Sequence, residues 1–264
     1  MTVADSLRLA EERLAEAGVD TPRVDAELLA AHVLGVARTA VQAKRDHEMP
    51  DEFGALLERR RMREPLAYVL GEWGFRRLTL KTDARALIPR PETEVVVERC
   101  LMLLRDEPAP RVLDIGAGTG AIALAIADEH PGARVTAVDS SPGALALARE
   151  NADLLGSSID LQEGGLDAAS EGWDLVVSNP PYVAPQEWNS LQPEIRDWEP
   201  RTALVGAGLH EKIARRARTH WLVLEVGDGQ AVGVADSLTS FGYADVTISP
   251  DLSGRERVVE GRRS

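Results

Sequence analysis

The 264 residues are 44% hydrophobic and 28% charged, globular proportions with length for one large domain or a core domain and a smaller companion. A net charge of −13, with 43 acids against 30 bases, argues against a protein whose main affinity is for phosphate backbones. The single cysteine, Cys100, excludes an internal disulfide, no His pair stands at ligand spacing so no metal is expected, and no apolar window approaches a membrane span.

The first residues, MTVADSLRLAEERLAEAG, carry acids and lack a basic segment followed by an apolar one, so no signal peptide is expected and the protein reads as cytoplasmic. Residues 1–64 read as helix throughout. One helix ends at Gly18, a second opens on Thr21 as cap with Pro22 at its first position, and a third follows Pro50 through Phe53, Leu56 and Leu57. Arg59, Arg60, Arg61 and Arg63 form a basic cluster, but Glu58 and Glu64 flank it, which favours a solvated helix face over a partner contact. Between 65 and 88 the pattern changes to short apolar runs broken by Gly71 and Gly74, the texture of a hairpin or extended linker. These changes divide the chain into a helical N-terminal domain (1–64), a β-hairpin linker (65–88) and a third region (89–264).

From Arg111 onward, strand-like runs alternate with helical ones: RVLDIG, TGAIALAIADEH, RVTAVD, SPGALALARENADLLG, WDLVVSN and HWLVLEVG. The alternation predicts an α/β domain with a doubly wound, Rossmann-like parallel sheet covered on both faces. YADVTISP and RERVVEGRR, joined by DLSG, look like a closing antiparallel pair.

In VLDIGAGTGAIALA, the stretch Gly116, Ala117, Gly118, Thr119, Gly120 lies between a strand and a helix. Glycines there let backbone approach a ligand, and the helix start offers unpaired N–H groups. The pattern alone also fits a dinucleotide site. Asp114, two residues before the first glycine, can accept from an ammonium group or orient the loop, whereas a pyrophosphate gains nothing from its charge. S-adenosylmethionine carries an ammonium and no phosphate. Asp139, at the end of the second strand and nineteen residues after Gly120, is placed to accept from ribose hydroxyls. A helix cap and a plain tight turn are the alternative roles of Asp139 and the glycines.

The next strand stops on Asn179, Pro180, Pro181, Tyr182, at the sheet edge where open α/β folds bind ligands. Two prolines fix extended geometry, remove two donors and leave carbonyls toward the pocket. Asn179 Oδ1 and the Pro180 carbonyl can accept both hydrogens of a planar NH2 group, and Tyr182 can cover its plane. The motif is therefore read as a holder of an amide or exocyclic amine nitrogen, a poor nucleophile that gains from alignment with an electrophilic methyl.

VLDIGAGTGAIALAIA, AVD at 137–139 and NPPY at 179–182 together resemble the class I S-adenosylmethionine-dependent N-methyltransferases. EPLAYVLGEWGF (64–75), LIPRPETE (87–94) and EPRTALVG (199–206) are similar to the HemK-like peptide chain release factor glutamine N5-methyltransferases, over nearly the whole chain. The resemblance implies a small helical domain and a hairpin before the methyltransferase fold. It also implies methyl transfer to the glutamine of the Gly-Gly-Gln motif in class 1 release factors. By position, Gly116 to Gly120 and Asp139 would hold the cofactor and Asn179 to Tyr182 the glutamine amide, with Arg90, Glu92 and Glu94 at the pocket mouth or in a plain surface loop. Two departures stand out. LQEGGLD puts Gly164 and Gly165 where relatives carry an acid and an aromatic near the adenine, and the run into HWLVLEVG lacks a Pro-Gly-Gly turn and is short. A nucleic-acid N-methyltransferase could use the same tetrapeptide on adenine or guanine, but it is expected to add a basic target-reading region that this chain does not show. A binding module without turnover is a third reading.

Overall fold

The computed structural model describes residues 1–263. They divide into two compact units, Met1–Glu72 with Gln192–Trp198, and Trp73–Leu191 with residues 199–263.

In the first unit, α1 (Val3–Glu16), α2 (Pro22–Leu34), α3 (Glu52–Arg61) and the helical turn α4 (Leu66–Leu70) surround a core of Val3, Ala10, Leu14, Leu29, Phe53 and Leu57. Thr2 caps α1 by accepting from the Asp5 N–H. Thr21 stands at the cap of α2 with Pro22 behind it, but its hydroxyl donates to the Asp25 carboxylate instead of accepting a backbone N–H. Residues 38–44 form a 3-10 segment rather than a further α-helix. The stretch read as hairpin or extended linker begins with α4, and only then does the hairpin form.

The second unit opens with that hairpin, β1 (Glu72–Phe75) and β2 (Leu78–Lys81). It continues through α5 (Thr93–Leu104), β3 (Arg111–Ile115), α6 (Ala121–Glu129), β4 (Arg134–Asp139), α7 (Pro142–Leu155), β5 (Asp160–Glu163) and β6 (Trp173–Ser178). The chain then leaves for residues 192–198, whose helical turn α8 (Pro193–Arg196) belongs to the first unit. It returns through α9 (Leu209–Arg216), β7 (Thr219–Glu225), α10 (Ala231–Ser240), β8 (Ala244–Pro250) and β9 (Glu256–Arg262). The seven-stranded sheet runs β5-β4-β3-β6-β7-β9-β8. β5 through β7 are parallel, and β9 pairs antiparallel with both β7 and β8, as the closing pair of the sequence predicted.

Side-chain alternation along the buried strands sorts the core into two layers. Val112, Leu175, Val177, Val223 and Val258 pack with α5, α6 and α7. Leu113, Ile115, Val176, Leu222, Leu224 and Val259 pack with α9 and α10 on the other face.

The arginine cluster is a solvated face only in part: Arg59 and Arg61 are exposed and pair with Glu64 and Glu58, whereas Arg60 and Arg63 turn inward. Arg60 is 6% exposed and donates to Asp25 at 2.7 Å, itself 4% exposed, while Arg60 and Arg63 both grip Glu194 of α8 at 2.9 and 2.6 Å. Arg59 pairs with Glu64 and also donates to the Tyr68 and Val69 carbonyls. The carboxylates that neutralise Arg60 and Arg63 lie far away in sequence, so local spacing could not reveal them. Removing Arg60 leaves the buried Asp25 without its cation, while Glu194 keeps only Arg63. Arg60→Ala is expected to destabilise the protein by about 3–5 kcal/mol in urea unfolding followed by circular dichroism; a loss under about 1 kcal/mol would show that the network is screened by solvent.

Candidate active site

At the carboxyl end of β3 the chain must turn sharply into α6, and Gly116, Gly118 and Gly120 take φ of +84°, +54° and +83°. Side chains with a Cβ rarely adopt such angles. Gly116 and Gly118 border a cavity of about 330 Å³, together with Asp139 at the end of β4, Ser140 after it, Gly164 to Leu166 after β5, and Asn179 and Pro181 after β6, whereas Gly120, packed against Leu124 and Ala148, is not among the lining residues. Ala117 and Thr119 border it as well, as do Leu87, Ile88, Arg90 and Thr93 from the segment entering α5.

Asp139 holds the loop and its own turn together. Its Oδ2 accepts from the Gly118 N–H at 2.9 Å and its Oδ1 from the Ser141 N–H at 2.8 Å, while the carboxylate faces the cavity. Asp114 does not border the cavity. It alternates with Leu113 and Ile115 and so points to the opposite layer, where it is 1% exposed and accepts from the Ala123 N–H of α6 at 3.2 Å. Its other oxygen has no hydrogen-bond partner among the described residues. The one hydrogen bond of Asp114 among the described residues thus goes to the first turn of α6, and not to the glycine loop. Burial pushes the carboxyl up to about 7, against the opposing pull of the Ala123 N–H, with Asp139 adding to the rise.

Asn179 follows β6 directly. Its Nδ2 donates to the Thr93 hydroxyl at 3.3 Å, and that hydroxyl donates to Glu225 Oε2 at 2.7 Å. Pro180 is buried and is not among the lining residues, whereas Pro181 lines the cavity. Tyr182 lies outside the lining, its ring against Gly227, where an added Cβ would come within 2.9 Å of it. Burial, with Glu225 next in effect, raises its phenol to about 12. The backbone after the tetrapeptide is held by the EPRTALVG segment: the Val183 N–H donates to Leu204 O and the Gly206 N–H to Val183 O. Glu199 of the same segment, buried, pairs with Arg90 and accepts from the Ile88 N–H. Arg90 therefore reaches the cavity already neutralised. Glu92, the residue before α5, and Glu94, which accepts from the Arg76 N–H, are not among the lining residues.

The lining suits S-adenosylmethionine better than a dinucleotide. Its two cations are both tied to carboxylates, Arg85 to Asp83 and Glu150 and Arg90 to Glu199, which leaves no free positive charge for a pyrophosphate. Asp139 supplies an acceptor, and Ile122, Ala144 and Leu166 supply apolar surface. Gly164 takes no strained angle, and an added Cβ would meet only Val138 at an ordinary 3.7 Å, so the glycine pair widens this side without being required by the backbone.

A mostly parallel sheet with a glycine loop, a ribose-type acid and NPPY at one carboxyl edge defines a class I methyltransferase that uses S-adenosylmethionine. The family described as PrmC N-terminal domain matches residues 5–71, and Methyltransferase small domain matches residues 96–194. The release factor glutamine methyltransferase of Deinococcus radiodurans is 43% identical over all of this chain and 99% of its own length. That of Geobacter sulfurreducens is 40% identical over 94% of this chain and 92% of its own. The crystal structure of the hMettl16 catalytic domain in complex with the MAT2A 3'UTR hairpin 6 is 17% identical and covers 69% of this chain and 74% of that one. Its TM-score of 0.56 is a likeness of fold. The chain belongs to the release factor glutamine methyltransferase family.

Asp114 gives a pH test. Its folded-state carboxyl lies above the ordinary 3.8, so between about pH 4 and about pH 7 the folded chain holds a proton the unfolded chain has lost, and stability falls as pH rises through that window. Asp114→Asn removes this contribution. Its unfolding free energy should change less than the wild type's between about pH 5 and about pH 8, by on the order of 1–3 kcal/mol. Identical pH slopes in the two proteins would place the charge elsewhere.

Proposed function

We propose that this chain transfers a methyl group from S-adenosylmethionine to the side-chain amide nitrogen, N5, of the glutamine in the Gly-Gly-Gln motif of class 1 peptide chain release factors, as a cytoplasmic enzyme. The observation that carries this reading is that Gly116 to Thr119, Asp139 and Asn179 border one cavity. Full-length similarity to release factor glutamine methyltransferases supports the choice of substrate.

The loop backbone and Asp139 would hold the cofactor, with Asp139 accepting from its ribose hydroxyls. When bound, S-adenosylmethionine supplies a methyl group on a positively charged sulfur. Asn179 gives its nitrogen to Thr93, which leaves Oδ1 to accept from the glutamine NH2. The Pro180 carbonyl is the second acceptor in this assignment, and Pro181 stiffens the turn. Tyr182 supports the turn through its packing on Gly227 and through its own carbonyl, which accepts from Gln230. Arg90, fixed by Glu199, shapes the entrance; Glu92 is assigned to the same mouth through its place in the PRPETE stretch alone. Two acceptors on one NH2 group hold the nitrogen in place and stabilise positive charge as it develops.

Asn179→Ala is expected to lower the methylation rate by about 10² to 10³ with S-adenosylmethionine still bound. Near-normal single-turnover methylation by that variant would reduce the tetrapeptide to a turn. Asp139→Ala should weaken cofactor binding by about one to two orders of magnitude in calorimetry; unchanged affinity would remove the ribose assignment. Labelled S-adenosylmethionine with a folded release factor, followed by mass mapping, is expected to place one methyl on the Gly-Gly-Gln glutamine, insensitive to added nucleic acid. Label on naked nucleic acid alone, or cofactor binding without turnover, would overturn the reading.

A further inference from the structure

We propose that Thr93 and Glu225 are positioning residues that decide which way the Asn179 amide faces, so that its oxygen and not its nitrogen meets the substrate; this rests on the role given to Asn179 above. Thr93 is buried at the first position of α5, and Glu225 ends β7 at 0% exposure. Glu225 points to the α5 layer because it alternates with Leu222 and Leu224, which face the other one. Thr93 has one hydroxyl proton, and it goes to Glu225 Oε2 at 2.7 Å. An ionised carboxylate only accepts, so the Thr93 oxygen has only lone pairs left to offer Asn179. Of the two ends of the Asn179 side chain, only Nδ2 can then turn toward it, at 3.3 Å.

This polarity depends on charge. Burial raises the Glu225 carboxyl to about 7, opposed by the Thr93 hydroxyl and increased by Glu92. Arg257 and Arg90 lower it, and the Tyr182 phenol stands on the same side. The Glu225 backbone carbonyl meets His210 Nε2, while Arg257 itself is engaged by Asp251. Once protonated, Glu225 can donate to the Thr93 oxygen, and the Thr93 proton is then free to turn to Asn179. The amide loses its reason to keep nitrogen inward, and with nitrogen outward a donor faces the donors of the substrate NH2. Methyl transfer should therefore rise with pH as Glu225 loses its proton.

Thr93→Val keeps the shape and removes the hydroxyl. We expect single-turnover methylation of a release factor to fall about tenfold or more, the loss of one aligned hydrogen bond, with cofactor affinity in calorimetry within about twofold. Thr93→Ser should recover most of the rate. Glu225→Gln, able to donate or accept, should be slower than wild type at about pH 8 and should lose the rise in rate between about pH 6 and about pH 8. In ligand-free protein, the Asn179 side-chain amide resonances, assigned by their absence from Asn179→Ala, should shift in Thr93→Val and titrate with pH in the wild type only. Wild-type rate, pH profile and amide resonances in Thr93→Val, alongside a large loss in Asn179→Ala, would overturn the positioning role alone. Full activity of Asn179→Ala would overturn the reading beneath it. Should Thr93→Val fail to fold, Thr93→Ser with a lost pH rise in Glu225→Gln supports the proposal, and an unchanged profile in Glu225→Gln sinks it.

Discussion

The strand order reverses at β3, and the site depends on that reversal. β4 and β5 are laid down on one side of β3, then β6 and β7 on the other. With right-handed crossovers, the two directions put α6 and α7 on one face and α9 and α10 on the other. The loops after β3 and β6 therefore part above neighbouring strands, and the crevice between them cannot be filled by either connection. Glycines on the β3 side and prolines on the β6 side meet the two demands this creates. One loop must bend through angles closed to side chains, and the other must stay extended where the sheet no longer pairs it. The segment 199–206 takes over where the sheet stops, through the two backbone bonds at Val183 and the Glu199 contacts to Ile88 and Arg90.

Alternation along the strands has a second consequence. At the carboxyl ends of β3 and β7, the residue facing the α5 and α6 layer is an acid in each case, Asp114 and Glu225. Among the described residues neither has a cation in hydrogen-bond contact; one accepts from a helix N–H and the other from a hydroxyl. Both are pushed up to about 7 by burial. A buried acid with one neutral donor costs stability at high pH.

The strands, the helices after them and the closing pair were legible because their signals are local: runs of apolar residues, cap residues and glycines at fixed offsets. The glycine loop, Asp139 and Asn179 were legible for the same reason, each standing at the end of a readable strand. Asp114 was read as having two roles because its face was not traced; the alternation Leu113, Asp114, Ile115 carried that information. Thr93 lies inside LIPRPETE, where the charges of Arg90, Glu92 and Glu94 are the stronger local signal. The signal for its partner was an acid closing the apolar run HWLVLE. Arg60 and Arg63 depart from the solvated face because Asp25 and Glu194 are brought to them only by folding.

The site is also defined by the acid it lacks. Asp139 is the one carboxylate among the residues bordering the cavity, and both of its oxygens already accept backbone N–H groups. Glu225 is separated from Asn179 by the Thr93 hydroxyl. A reaction needing a base to create its nucleophile would be poorly served here. An amide nitrogen makes a different demand: its lone pair is delocalised, and it becomes acidic only as the new bond to carbon forms. Neutral acceptors that hold its hydrogens before that moment, and gain strength as charge develops, meet the demand without a proton leaving first. On the role proposed for Asn179, the orientation of that one neutral amide therefore matters more in this cavity than a base would.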